Sequence, residues 1–224
     1  MSKLLLITSL ALASATGLFA DTFTLSALNG GAATGSPRLN LDLLSLGNST
    51  QWADANLKVS FTGTGQVVQG AASGLYAAPF ISGSNGAGFG GQAPGADTTR
   101  YLSTGIGSIA FDFTSNQTYF GLLWGSVDNY NTLSFYNGAN LVGSFTGSQV
   151  WAAADGDQGT QGTFYVNFND LTGSFNKVVA TSTQYAFEID NVAYNSRNNV
   201  PEAGSTVALL GLGLAGLVSL RRKL

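Results

Sequence analysis

The sequence predicts an all-β protein, and more closely a jelly-roll-like β-sandwich formed by residues 21–196. Three observations support this fold class. Apolar and polar residues alternate in many short runs, Gly and Asn separate the runs, and no sustained helical period occurs between the two ends of the chain. Because side chains two residues apart lie on one face of a strand, each alternating run is typical of a strand with one buried face.

Six runs carry the alternation and therefore predict strands. Asn137-Gly138 separates two apolar runs and predicts a tight hairpin, because Gly readily adopts the positive φ angles of such turns. Many short strands joined by Gly-rich turns favour a two-sheet sandwich. The apolar positions are Phe23, Leu25 and Ala27; Leu57, Val59 and Phe61; Ile109, Phe111 and Phe113; Leu133 and Phe135; Phe164, Val166 and Phe168; and Tyr185, Phe187 and Ile189.

Two stretches depart from the alternation. Residues 37–46 fit a short helix or a strand equally well. Residues 82–97 are rich in Gly, Ser, Ala and Asn, and Phe89 is their one apolar anchor, so we expect a flexible surface loop.

The composition excludes several classes of chemistry. The 224 residues contain no Cys and no His, which rules out cysteine nucleophiles, Ser-His-Asp triads, disulfides and His/Cys metal sites. Any metal would be a hard cation held by oxygen. The formal net charge of -3 argues against nucleic acid as a partner, because phosphate-binding surfaces need clustered Lys and Arg.

Residues 1–20 predict a secretory signal peptide that signal peptidase removes. Lys3 precedes a short apolar stretch, and small residues lead to Ala20 before Asp21. The alternative is an uncleaved N-terminal anchor, although the apolar stretch is short for a span of the bilayer.

Residues 197–224 predict a second targeting segment, at the other end of the chain. The apolar run 206–220 predicts a short transmembrane helix, and the cations Arg221, Arg222 and Lys223 would keep its end in the cytoplasm. Val200-Pro201-Glu202-Ala203 stands just before this run.

The order of motif, apolar helix and basic tail resembles the PEP-CTERM protein-sorting signal of Gram-negative bacteria that make extracellular polysaccharide. The resemblance covers residues 200–224 and implies cleavage by the membrane enzyme exosortase. Ala203 replaces the second Pro of the Pro-Glu-Pro motif, which leaves the cleavage point open. Residues 119–136 and 186–194 also resemble uncharacterised exosortase-dependent surface proteins, and this resemblance implies a surface role without catalytic residues.

These observations predict an exported, non-enzymatic protein that acts in structure or adhesion at the cell surface or in the extracellular matrix. It would pass through the inner membrane, and it would need no cofactor. The alternative is a carbohydrate-binding module that acts on the exopolysaccharide.

For glycan binding, the candidates are Tyr136, Tyr165, Asn167 and Asn169. They alternate with inward apolar residues, so we expect them on polar faces, where rings contact sugars and amides bind hydroxyls. The competing interpretation is that the second sheet covers the tyrosines.

Calcium is a further candidate ligand, with Asp128, Asp190 and Asn191 as possible oxygen donors. Asp190 and Asn191 could act together with Asp128 and Asn129 or with Asp155 and Asp157, although the stretch from Asp155 lacks the acids at the fifth and twelfth positions of an EF-hand loop. The competing interpretation is that these side chains only satisfy backbone groups in turns.

Glycoside hydrolysis is the third option. Glu188 and Asp190 lie two apart on one predicted strand, which suits a pair of carboxyl groups about 5–9.5 Å apart. Asp190 is, however, also expected to serve a turn.

Overall fold

The computed structural model describes residues 21–28, 30–90 and 92–196. The predicted signal peptide and the predicted sorting signal, residues 1–20 and 197–224, lie outside the described residues. In the described ranges, the protein has fifteen strands and one short helix, α1 (Gly147–Val150). The strands are β1 (Phe23–Leu28), β2 (Arg38–Leu39), β3 (Gln51–Trp52), β4 (Leu57–Gly63), β5 (Gln66–Gln69), β6 (Phe80–Ile81), β7 (Gly95–Ala96), β8 (Arg100–Thr104), β9 (Gly107–Gln117), β10 (Tyr119–Gly125), β11 (Asn131–Asn137), β12 (Asn140–Thr146), β13 (Phe164–Asp170), β14 (Phe175–Ser182) and β15 (Phe187–Asn195).

Two antiparallel sheets form the sandwich. The first has the strand order β1-β13-β10-β15-β8-β5, with β2 paired to the second half of β15. The second has the order β12-β11-β14-β9-β4-β3. From β8 onward the chain crosses repeatedly between the sheets, as in a jelly roll. The predicted fold class is therefore confirmed.

The core lies between the two sheets and is dominated by aromatic rings. The ring of Phe135 lies 5.0 Å from those of Phe23 and Phe175 and 5.1 Å from that of Phe168, measured between centroids. The rings of Trp124 and Phe187 stack 4.3 Å apart. Rings at these separations add attraction to the burial of their large apolar surfaces.

The alternation in the sequence locates five strands well. The predicted runs fall in β1, β4, β9, β11 and β13, and the sixth is wrong at its start because Tyr185 precedes β15 and is exposed. The Asn137-Gly138 hairpin is confirmed: β11 and β12 pair across it, and Gly138 has φ +59. Residues 37–46 contain the strand β2 and then turns rather than a helix.

Residues 70–90 and 92–99, here called the covering segment, lie against the outer face of the first sheet. Phe89 is buried, and its ring centroid lies 5.7 Å from that of Tyr165 on β13. Asn85 and Asp97 are buried as well. Residues 82–97 therefore lie at the surface as expected, but Phe89 anchors them to the sheet.

This cover explains why the central strands of the first sheet do not alternate in sequence. Every residue of β10 is buried, because its inward side chains enter the core and its outward side chains meet the covering segment and residues 30–36. Gly125 occupies an outward position, where a Cβ would lie 3.2 Å from Pro79 of the covering segment. Glycine thus allows the covering segment to approach the strand closely.

The three tryptophans differ in exposure. Trp124 is fully buried, whereas Trp52 is 58% exposed and Trp151 is 39% exposed. A search for long, apolar helices within the described ranges finds none able to cross a membrane.

Candidate functional site

A groove opens at one end of the sandwich, and we call it the end groove. It consists of two cavities of about 510 and 250 Å³ that meet at Leu75, Tyr76 and Tyr185. Loops that join strands at the same end of both sheets form it, together with the start of the covering segment. The larger cavity is also lined by Ser126, Asp128, Tyr130, Asp155, Gln158 and Glu188, and the smaller by Asn48, Gly63, Thr64, Gly65, Gln66, Ser103 and Gly105.

Tyr185 supplies the most exposed aromatic ring of the end groove. The residue is 42% exposed and stands just before β15. Its ring lies directly over Gly105, between β8 and β9, where any Cβ would overlap the ring. The Tyr130 hydroxyl lies 2.8 Å from the backbone oxygen of Tyr185, which fixes the loop from the other side. The ring is therefore held in place by contacts with two neighbouring loops.

Glu188 lies at the floor of the end groove and is 2% exposed. The hydroxyl of Ser126 donates to Glu188 Oε2 at 2.6 Å, and the backbone N–H of Ala77 donates to Oε1 at 2.9 Å. Burial raises the pKa of Glu188 to about 7, although both hydrogen bonds oppose the rise. Since both carboxyl oxygens have partners, this side chain joins the covering segment to the sheet.

Asp128 and Asp155 add carboxylates to the wall of the groove. The Tyr130 hydroxyl lies 2.6 Å from Asp128 Oδ2, so its single hydrogen is shared between Asp128 and the Tyr185 carbonyl. Burial raises the pKa of Asp128, and the nearby charge of Asp155 raises it further. The groove thus combines a flat ring with acceptor oxygens, a lining that suits ligands rich in hydroxyl groups.

The predicted glycan-binding residues do not form one surface. Tyr136 is half-buried on the second sheet, whereas Tyr165, Asn167 and Asn169 lie on the outer face of the first. Tyr165 is fully buried, and the two asparagines are 7% and 8% exposed. The expectation that Tyr165 presents its ring to solvent is wrong.

The outer face of β13 instead holds other parts of the chain. Tyr119 donates its hydroxyl hydrogen to Asn167 Oδ1 at 2.6 Å and accepts the Ala33 N–H at 3.0 Å. The alternation correctly predicted that Tyr165 lies on the face of the sheet that points away from the core. Neighbouring loops, rather than the second sheet, cover this face.

The candidate calcium ligands also separate. Asp128 lines the end groove, whereas Asp190 and Asn191 are fully buried under the covering segment, beside Gln92 and Asp97. Asp157 accepts the backbone N–H of Gly159 at 2.8 Å, as a turn residue does. No group of three or more acidic side chains arranged to hold a metal occurs in the ranges 21–28, 30–90 and 92–196.

The proposed catalytic pair is likewise divided. Glu188 borders the end groove, and Asp190 on the same strand has no surface in either cavity of the groove. Burial raises the pKa of Asp190, and the adjacent carboxyl of Asp97 raises it further. A sugar in the groove would meet one member of the pair only.

Sequence reasoning missed Tyr76, Gly105, Ser126, Gln92 and Asp97. Their signals were weak, because each belongs to a loop or a short connection, and their proximity depends on how distant segments fold over the sheet. The sequence pattern included Tyr185, but because Tyr185 alternates with Phe187, the pattern placed it within a strand rather than in the loop before it.

Comparisons with known proteins add one feature outside the described residues. Residues 199–224 match the family model of the VPDSG-CTERM motif, an exosortase-type sorting signal related to the one inferred above. The five letters of that motif correspond to Val200-Pro201-Glu202-Ala203-Gly204, with Glu for Asp and Ala for Ser. A C-terminal signal of this kind implies export and association with the cell surface.

Similarity to other known proteins is low. No curated protein is significantly similar in sequence to this chain. Among solved structures, the chain is similar to a family 6 carbohydrate-binding module, with 14% identity, a TM-score of 0.34, and coverage of 72% of this chain and 94% of that one. At that TM-score we infer neither fold nor ligand from the likeness.

Proposed function

We propose that this is an envelope protein of a Gram-negative bacterium that signal peptidase and exosortase process in turn. The match of residues 199–224 to a sorting motif carries the proposal. In this function, the apolar run 206–220 holds the chain in the inner membrane until exosortase cleaves near Val200-Pro201-Glu202, and the sandwich then becomes a structural or adhesive part of the cell surface or matrix.

The distance between sandwich and membrane supports this order of events. The last strand ends at Asn195, and residues 196–205 connect it to the apolar run that begins at Thr206. Fully extended, this connection reaches at most about 40 Å, so the sandwich stays close to the bilayer before cleavage. Cleavage at the motif would leave the sandwich with almost no tail.

Mass spectrometry of the native extracellular fraction tests the processing. We expect a mature chain that begins at Asp21 and lacks peptides from 206–224. Replacing Val200, Pro201 and Glu202 by Ala should leave the uncleaved chain in the membrane fraction, whereas Asn198→Ala, the matched control, should be processed normally. Intact C-terminal peptides through Leu224 on the secreted wild-type protein would contradict the proposal.

Glycan binding in the end groove is the second candidate function, and the exposed Tyr185 ring beside acceptor oxygens favours it. A pyranose ring can stack on Tyr185 while its hydroxyls donate to Asp128 and Asp155. The joined cavities form an elongated site that suits a polysaccharide chain rather than a single sugar. The carboxylates favour neutral or amino sugars over uronic acids.

Affinity electrophoresis of the full chain in gels that contain the host exopolysaccharide tests this function. We expect retardation of the wild type, and its loss in Tyr185→Ala. Gly105→Ala should also weaken retention, because the added Cβ displaces the Tyr185 ring. Trp52→Ala is the matched control, since it removes an exposed aromatic ring that lines neither cavity. Equal retardation of Tyr185→Ala and the wild type would exclude this site.

The proposed function includes no catalytic step. The complete burial of Asp190 outside the groove supports this, because a glycosidase needs both carboxyl groups at the scissile bond. The check is a hydrolysis assay on the exopolysaccharide with the wild type and Glu188→Gln. Turnover that is lost in the variant would establish a glycosidase instead.

A further inference from the structure

Five oxygen-bearing side chains meet beneath the covering segment, away from the end groove. They belong to Asp97, Thr99, Gln92, Asp190 and Asn191, and we call them the buried oxygen cluster. Asp97 is 4% exposed, and Asp190 and Asn191 are fully buried. Gln92 is only partly buried and closes the cluster from the solvent side.

A bulge in β15 brings two consecutive side chains to this place. Leu123 of β10 pairs with Asp190, whereas Gly121 pairs with Ala193, so β15 contains one extra residue. Asn191 has φ +52, a left-handed conformation that Asn tolerates well. Consequently Asp190 and Asn191 both reach Gln92 instead of pointing to opposite faces.

The amide nitrogen of Gln92 occupies the centre of the cluster. It lies 3.0 Å from Asp97 Oδ2, 2.9 Å from Asp190 Oδ2 and 3.2 Å from Thr99 Oγ1. An amide group has two hydrogens and cannot serve three acceptors fully at once. The oxygens therefore surround a position where a full positive charge is more favourable than the partial positive charge of one amide group.

Two further oxygens of the cluster are unsatisfied. Asp190 Oδ1 and Asn191 Oδ1 are buried and have no hydrogen-bond partner among the described residues. Asp190 Oδ1 belongs to the carboxyl group whose other oxygen contacts the Gln92 nitrogen, so it lies beside this centre, whereas Asn191 contacts the Gln92 oxygen through its amide nitrogen. Buried oxygens without a partner are costly, and a cation removes that cost.

The charges lead to the same conclusion. Two carboxylates meet at one nitrogen, and in the described part of the chain the ion pairs are those of Asp112 with Lys58 and Lys177. No Lys or Arg there pairs with Asp97 or Asp190. A divalent cation would neutralise two buried carboxylates completely.

We propose that Asp97, Asp190, Asn191 and Thr99 form a calcium site that fastens the covering segment to β15. Calcium binds six to eight oxygens in flexible geometry, and these four side chains supply about six. The ion would replace the Gln92 nitrogen at the centre of the cluster. Magnesium demands a stricter octahedral geometry and fits this set less well. This proposal is independent of glycan binding.

Calcium binding to the full-length, detergent-solubilised chain tests the proposal. After treatment with EDTA and dialysis against about 1 mM calcium, we expect about one ion per chain by elemental analysis and a rise of about 5 °C in Tm. The same concentration of magnesium should leave Tm unchanged. No bound calcium in the wild type would overturn the proposal.

Variants locate the ion. Because their expected effects differ, the test remains valid if one variant fails to fold. Asp97→Asn should lose calcium binding, and Asn191→Asp, which adds a ligand charge, should tighten it about tenfold. Asp155→Asn is the control for the competing acidic loop beside the end groove, and it should bind calcium as the wild type does. Loss of binding in Asp155→Asn but not in Asp97→Asn would assign the ion to that loop. If Asp97 and Asp190 share a proton instead, calcium has no effect on Tm, and the proposal is likewise overturned.

Discussion

The exposure of an individual side chain in this protein depends on whether another segment of the chain covers it. Tyr165 and Tyr185 are both tyrosines near strands, yet one is fully buried and the other is 42% exposed. A loop folded over β13 buries the first, and Gly105 lets the second lie flat at the rim of a groove. Alternation in the sequence specifies the face of the sheet on which a side chain lies, but it does not specify what lies above that face.

Asp170, at the end of β13, gives a prediction at this scale. Its Oδ1 accepts the backbone N–H groups of Thr172 and Gly173 at 3.1 and 2.8 Å. Burial, together with the charge of Asp21, raises the pKa of Asp170 to about 6, although the two hydrogen bonds oppose the rise. The folded state therefore binds a proton that the unfolded state releases near pH 4. This contribution to stability is complete below that pH and disappears as the pH rises through about 6.

The variant Asp170→Asn should remove this pH dependence. Between pH 4 and pH 7, we expect the free energy of unfolding of the wild type to fall by about 1–2 kcal/mol relative to that of the variant, because solvent screens part of the interaction. Urea unfolding across this pH range measures the difference, and Asp157→Asn, which removes an exposed carboxylate, is the control. Parallel curves for the wild type and Asp170→Asn would contradict the prediction.

At the scale of elements, the covering segment is the part of the fold that the sequence suggested least. Its composition is that of a mobile loop, yet it buries Phe89 against Tyr165 and joins the sheet through Glu188 and Asp190. A single aromatic anchor and a few buried hydrogen bonds suffice, because the outer face of the first sheet offers apolar surface to bury. Local composition could not reveal this, since the partner residues are about 75 to 110 positions away.

Phe89→Ala tests the anchor. Removing a buried phenylalanine ring typically costs 3–5 kcal/mol, and we expect about 2–4 kcal/mol here because the segment can partly close the gap. Hydrogen exchange should accelerate in residues 82–97 and much less in β9 and β14 of the second sheet. Leu43→Ala, at a residue that is 92% exposed, should change stability by less than about 0.5 kcal/mol. Uniform acceleration across both sheets would show that the segment does not open separately.

At the scale of the whole molecule, the aromatic core joins the two sheets. Phe135 of the second sheet contacts Phe168 of the first, as well as Phe23 of β1 and Phe175 of β14. With no disulfide available to a chain that contains no Cys, packing between the sheets carries the stability of the exported domain.

Phe135→Ala should therefore destabilise the entire sandwich. We expect a loss of about 3–5 kcal/mol in the free energy of unfolding, measured by urea denaturation. Phe135→Leu should lose less, because it leaves a smaller cavity. Hydrogen exchange should accelerate in both sheets together, unlike the local effect expected for Phe89→Ala. Protection that is lost in only one sheet would mean that the sheets unfold independently.

The sequence by itself determined the all-β class, the strands with one solvated face, the Asn137-Gly138 hairpin and the C-terminal sorting signal. These depend on local periodicity, turn chemistry or a short contiguous motif. Only the tertiary structure decided that Tyr165 is covered, that Tyr185 faces a groove, and that Asp190 meets Asp97 instead of a ligand in solvent. The physical reason is that burial on both faces of β10, β13 and β15 is produced by distant segments, and no local pattern records a contact between residues so far apart in the chain.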